Sequence, residues 1–195
     1  MNWNVPNILT MLRIALIPVF VGIFYLPHNL YKLGILPTHT LNVIAASVFA
    51  LAAFTDWLDG YWARKFNQTS SFGAFLDPVA DKLMVTAALI VLVEFHRVGA
   101  IVSLIIIGRE IAISALREWM AGLGKSQSVG VAMIGKVKTV AQMVAIFLLL
   151  YADDIGQFPT RLVGEKLIIL AAILTLVSMA YYLKAAWPTI KKSIN

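Results

Sequence analysis

Residues 56–81 read DWLDGYWARKFNQTSSFGAFLDPVAD, and four of the chain's ten acidic residues, Asp56, Asp59, Asp77 and Asp81, stand in this one stretch. Asp56 and Asp59 are three apart and Asp77 and Asp81 four apart, so on a helix each pair shares a face. The flanks are uncharged: residues 40–55 and 83–93 carry no Asp, Glu, Lys or Arg. A membrane-crossing helix needs about 20 mostly apolar residues. The acid pairs therefore stand at the facing ends of two spans, 40–64 and 78–96, with the chain reversing between them.

The same criterion outward adds spans at 7–27, 98–119, 133–152 and 164–186. Breakers separate them: Pro27, Gly34 and Pro37 around 28–38, residues 67–71 with Gly73, a tight turn at 96–99, GLGKSQSVG at 122–130, and 153–159. The expected fold class is an all-α integral membrane protein, a six-transmembrane-helix bundle forming one domain over 1–195. Composition agrees: 60% of the 195 residues are hydrophobic and only 13% charged, where a soluble domain carries about 25% charge. A chain this size has too little interior to hide that much apolar surface from water. The first apolar stretch lacks a preceding basic run and a small-residue cleavage site, so it reads as a retained helix. With no cysteine, disulfides, thiolate metal sites and Cys nucleophiles are excluded.

Charge placement orients the bundle. Lys32, Arg97, Arg161 and Lys166 fall in connections on one side, and the other twelve of the sixteen Lys and Arg fall on the opposite side or at its helix ends. Cytoplasmic loops collect Lys and Arg, which places the twelve, both termini and the four aspartates at the cytoplasmic face. The net charge of +6 is accounted for in this way, without nucleic acid. From Leu41 to Asp56 a helix advances about 22 Å, inside a hydrocarbon layer about 30 Å thick. A carboxylate at that depth is costly and by default functional.

Four converging carboxylates repel and take up protons unless a cation intervenes. Near in sequence stand only Arg64 and Lys82. Oxygen-only ligands suit Mg²⁺, Mn²⁺ or Ca²⁺, and two such ions about 4 Å apart clamp a transferring phosphoryl group. Gly60 and Ala63 leave a flat patch beside Asp59, and Gly73 does similarly beside the second pair. Pro78 suits the first turn of a helix, which predicts Asp77 as the N-cap of the third span. The bland alternative is pairing of these acids with Arg64, Lys65 and Lys82 at a wet helix end.

The segment resembles the signature of the CDP-alcohol phosphotransferases, D-x2-D-G-x2-A-R-x8-G-x3-D-x3-D, matched at Asp56, Asp59, Gly60, Ala63, Arg64, Gly73, Asp77 and Asp81. The resemblance implies a two-metal centre (Mg²⁺ or Mn²⁺) held by Asp56, Asp59, Asp77 and Asp81, with Asp81 also the catalytic base. It implies that Asp56, Asp59, Gly60, Ala63, Arg64 and Gly73 hold the CDP moiety. The implied reaction is attack by an alcohol on the lipid-side phosphorus of a CDP-activated lipid, with CMP leaving.

A second charged set reads GREIAISALRE at 108–118, with Lys136 and Lys138 in IGKVK. Glu110 and Arg117, seven apart, lie about 20° apart around a helix. A cationic pocket beside the acids suits an acceptor that carries its own phosphate. Positive-inside topology alone explains Lys125, Lys191 and Lys192, but it explains Arg109 less well, because 99–107 is uncharged. PNILTMLR (Pro6, Asn7, Thr10, Arg13), GREIAISALREW and GKVKTVAQM resemble the branch of the family that acts on CDP-diacylglycerol and glycerol 3-phosphate. That implies acceptor phosphate contacts from Arg109, Arg117 and Lys136, with Lys138, Thr10 and Arg13 beside them. It also implies a bacterial cytoplasmic membrane and a homodimer. The alternatives are the same chemistry on inositol phosphate or phosphatidylglycerol, or a divalent-cation transporter with acids along an ion path. GLGKS at 122–126 lacks the first Gly of a P-loop, and His28, His39 and His96 read as lone interfacial residues.

Overall fold

The computed structural model describes residues 5–32, 37–66, 71–122 and 132–194, without the side chains of 5–7, 26–32, 57, 59–66, 71, 72, 74, 132–134, 136, 189 and 192–194. Its helices are α1 (Val5–Lys32), α2 (Thr38–Phe66), α3 (Ser71–Glu94), α4 (Ala100–Gly122), α5 (Ala132–Tyr151) and α6 (Thr160–Ile194). α1 packs on α2 and α3, α5 on α6 and α2, and α4 chiefly on α6. The expected helical membrane-type bundle is what the chain forms. Among the described residues, three helices contain stretches long and apolar enough to cross a bilayer: Ile8–Tyr25, Thr38–Asp56 and Thr160–Pro188. In α3 and α4 the apolar run is broken by Asp77, Asp81 and Lys82 and by Arg109 and Glu110, and the apolar part of α5 is Val137–Tyr151.

Two boundaries depart from expectation. α1 continues past Pro27 to Lys32. α3 starts at Ser71, so Pro78 lies inside it and Asp77 is not its N-cap. The stretch before Pro78 is helix-compatible, and a membrane bundle tolerates the one bond that Pro78 cannot donate, to the carbonyl of Ala74.

Lipid tails are as apolar as leucine, so close packing rather than water exclusion holds such helices together. Ala45, Ala46, Ala88, Ala145 and Ala172 are buried where helices meet. Phe20 packs edge-on against Phe24 at 5.6 Å and tilted against Phe49 at 6.5 Å, and Phe24 meets Phe95 at 5.1 Å. A Cβ on Gly164 would stand 2.8 Å from Cγ of Leu149, so glycine sets the approach of α6 to α5. Outward-facing Ile101, Leu104, Ile111 and Val140 are 62–75% exposed, as a lipid-facing surface requires.

At the end where α2, α4 and α6 begin, a polar clamp closes the bundle. Arg97 Nη1 donates to the carbonyls of Leu149 (3.1 Å) and Leu150 (2.8 Å), and its Nη2 donates to Asn42 Oδ1 (2.7 Å). This satisfies carbonyls at the end of α5 that no helix bond reaches. Asn42 Nδ2 donates to Asp153 Oδ2 (3.1 Å), and His39 Nδ1 stands 2.9 Å from the same oxygen. His39 is thus a partner of Asp153, contrary to the reading of it as a lone interfacial residue. Burial alone would raise Asp153, but the hydrogen bonds from Asn42 and His39 outweigh it and hold its carboxyl below the ordinary carboxylate range. α3 ends in a Schellman turn, with Arg97 N on the Leu92 carbonyl (2.8 Å), His96 N on that of Val93 (3.0 Å), and His96 left-handed at φ 54°.

Candidate active site

The acids meet at the other end of the bundle, and α1 gathers them. Arg13, 1% exposed, places Nη1 2.8 Å from Oδ1 of Asp56 on α2 and 3.0 Å from Oδ1 of Asp81 on α3. One turn earlier, the Thr10 hydroxyl donates to Oδ1 of Asp77 at 2.5 Å. The cation nearest the acids therefore comes from a helix 43 to 68 residues away in sequence, and not only from Arg64 and Lys82 nearby. Thr10 and Arg13, expected with the acceptor-phosphate group, are bonded to the carboxylates. Their helical spacing places both on the face of α1 that looks toward α2 and α3.

Asp59, Gly60, Ala63 and Arg64 follow in the last turns of α2, and their side chains lie outside the described residues, as does that of Lys136 on α5. Gly73 is buried near the start of α3. Among the described residues no three acidic or histidine side chains group closely enough to hold one ion, and Asp59 is absent from that set. The donors brought together are carboxylate oxygens, and in kind they fit a hard divalent cation.

A second cluster joins α4, α5 and α6. Arg109, 8% exposed, donates from Nη1 to Glu110 Oε1 (3.1 Å) and from Nη2 to Ser178 Oγ (2.8 Å). Lys138 pairs with the same Glu110 oxygen. Arg117 Nη2 donates to the Tyr182 hydroxyl at 2.5 Å. The guanidiniums of Arg109 and Arg117 lie 5.7 and 4.8 Å from the Tyr182 ring centroid, within cation–π range. The structure thus brings together Arg109, Arg117 and Lys138, as expected. It adds Glu110 as the hub, and Ser178 and Tyr182 as supports. Ser178 and Tyr182 carried no usable signal: both stand in an apolar helix, and only packing shows which face of α6 meets α4.

One cleft of about 600 Å³ connects the clusters. Arg13, Asp56, Asp81 and Lys82 line it on one side and Glu110, Thr139 and Gln142 on the other, with Phe49, Met84, Ile106 and Met143 between. Carboxylates suited to a metal-bound diphosphate and cations suited to a phosphate thus share one partly apolar chamber. This geometry suits transfer between a lipid-borne group and a small anion.

Comparison with known proteins bears on the same chemistry. A family model described as CDP-alcohol phosphatidyltransferase matches residues 3–183. A protein of Pseudomonas fluorescens named CDP-diacylglycerol–glycerol-3-phosphate 3-phosphatidyltransferase is 48% identical over 193 residues, covering 96% of this chain and 92% of the relative. Proteins of the same name from Salmonella typhimurium, 47% identical over 188 residues, and Pectobacterium atrosepticum, 48% over 191, each cover 95% of this chain and 96% of the relative.

Proposed function

The chain belongs to the CDP-alcohol phosphatidyltransferase family, and from that premise we propose that it transfers the phosphatidyl group of CDP-diacylglycerol to sn-glycerol 3-phosphate. The products are phosphatidylglycerophosphate and CMP. The observation that carries this reading is the shared cleft: Asp56 and Asp81 line one side and Glu110, which gathers Arg109 and Lys138, lines the other. Relatives nearly half identical over almost the whole chain carry the name of this transferase.

The acceptor's primary hydroxyl oxygen attacks the lipid-side phosphorus. The bond from that phosphorus to the CMP oxygen breaks, and its electron pair leaves with CMP. Asp81 takes the hydroxyl proton, a task that requires hydrogen-bond reach. Arg109, Arg117, Lys136 and Lys138 hold the acceptor phosphate, where Arg supplies paired donors in a fixed fork. Gly60, Ala63, Arg64 and Gly73, with Asp56 and Asp59, hold the cytidine diphosphate. Two divalent ions, Mg²⁺ or Mn²⁺, would be held by Asp56, Asp59, Asp77 and Asp81 and would neutralise the diphosphate oxygens. Thr10 and Arg13 fix the directions of Asp77, Asp56 and Asp81.

The same reading takes the bundle as six spans with both termini and the cleft at the cytoplasmic face of a bacterial inner membrane, in a homodimer; the family membership and the apolar helices support it. Because the chain has no cysteine, single introduced cysteines report topology cleanly. One at Gln157 is labelled from outside and one at Lys191 only after permeabilisation; the reverse pattern overturns the orientation.

An acceptor panel tests the reaction. Purified protein receives CDP-diacylglycerol with glycerol 3-phosphate, inositol phosphate or phosphatidylglycerol side by side. Glycerol 3-phosphate supports the fastest CMP release. Equal or faster release with another acceptor removes the assignment of the basic cluster.

A further inference from the structure

One polar group in the cleft has no task in the reaction as written. Gln142 stands on α5 one helical turn beyond Lys138, about 6 Å further along the axis. It is 5% exposed, it lines the cleft with Arg13, Asp81 and Glu110, and its amide oxygen is buried without a hydrogen-bond partner among the described residues. Met84, Ile106 and Ile107 line the same chamber and have no donor to offer it. A buried acceptor left unpaired is costly, and natural structures rarely keep one without a use.

An amide oxygen is completed by a ligand O–H. On the reaction proposed above, the acceptor phosphate lies at Arg109 and Lys138 and the attacking hydroxyl lies at Asp81. The body of the acceptor then runs through the chamber that Gln142 lines, and glycerol 3-phosphate carries a second hydroxyl on the carbon beside the attacking one. We propose that Gln142 accepts a hydrogen bond from this secondary hydroxyl and so selects a polyol phosphate over the phosphate of a simple diol. A site built around a substrate hydroxyl discriminates strongly against an analogue that lacks it, because the site's own polar group is then stranded.

The test compares glycerol 3-phosphate with propane-1,3-diol monophosphate, which lacks only that hydroxyl. Both are assayed by CMP release from CDP-diacylglycerol, with the wild-type protein and with Gln142→Met, which keeps side-chain length and removes the acceptor. The wild type favours glycerol 3-phosphate by at least about tenfold in kcat/KM, and Gln142→Met brings that ratio to within about twofold by losing activity on glycerol 3-phosphate alone. Retention of the wild-type ratio in Gln142→Met overturns the proposal, as does an equal loss on both acceptors. A wild type that uses the two equally well overturns it without any variant. No CMP release by the wild type from either acceptor removes the underlying reaction as well.

Discussion

At the end of the bundle where α2, α4 and α6 begin, Arg97 reaches two backbone carbonyls and Asn42, and Asn42 and His39 meet on Asp153. At the opposite end Arg13 and Arg109 are more deeply buried than Arg97, but their carboxylate partners Asp56, Asp81 and Glu110 line an open cleft. Asp56 and Asp81 keep 43% and 51% of their side-chain surface accessible there, and the buried Arg109 Nε and Gln142 amide oxygen have no partner among the described residues. Both ends use an arginine at least partly withdrawn from solvent. One directs it to the backbone and closes the structure; the other directs it to carboxylates that remain available to a ligand. Polar groups that complete one another hold a fold, and groups left partly incomplete mark where something else binds.

The widest gap between the ends lies in Asp81→Asn. It removes the proton acceptor and is expected to lower CMP release by about 10²- to 10⁴-fold, with thermal unfolding little changed. Full turnover by this variant cancels the role of Asp81. Arg13→Ala comes next and strikes both properties. Removing one partner of a buried ion pair costs about 3 kcal/mol, at the lower end here because Asp56 and Asp81 are half accessible. Unfolding in detergent reads this loss, and added Mg²⁺ restores more stability to the variant than to the wild type, since an ion then supplies the missing charge.

Much of the acidic site was legible in the sequence, because within one helix spacing dictates who shares a face. Asp56, Asp77 and Asp81 do converge. Spacing says nothing about which helix supplies the cation, so the pairing of Arg13 with Asp56 and Asp81 emerges only from the packing of α1 on α2 and α3. Arg109, Arg117 and Lys138 were readable as charges interrupting apolar runs. Ser178 and Tyr182 were not, because their contacts span 69 and 65 residues. The clamp was equally hidden: His39 and Asp153 lie 114 residues apart. Pro78 misled locally, since the rule placing proline in a first turn holds for isolated helix starts and not for one continued backward by packing.

On the clamp side, Arg97→Ala leaves the Leu149 and Leu150 carbonyls without this donor. It is expected to cost about 2 kcal/mol, read as a lower Tm, while kcat for CMP release stays unchanged. A loss of kcat without a loss of Tm reverses the distinction between the two ends. The smallest effect is that of Asp153. Its carboxyl is depressed in the folded state, so its contribution is present above the unfolded-state pKa and fades as pH falls through the folded value. The Tm gap between wild type and Asp153→Asn is therefore present at neutral pH and shrinks below about pH 4. A gap that widens on acidification contradicts this sign.

The central claim is that carboxylates from α2 and α3, held beside a phosphate-binding cluster, act on a nucleotide-activated lipid through divalent cations. The most direct measurement is CMP release by the purified wild-type protein from CDP-diacylglycerol and glycerol 3-phosphate, with Mg²⁺ and then with excess chelator. Release that needs the ion, stops with chelator and returns when Mg²⁺ or Mn²⁺ is added back is the result expected. Undiminished release in chelator, or none under any ion, contradicts it.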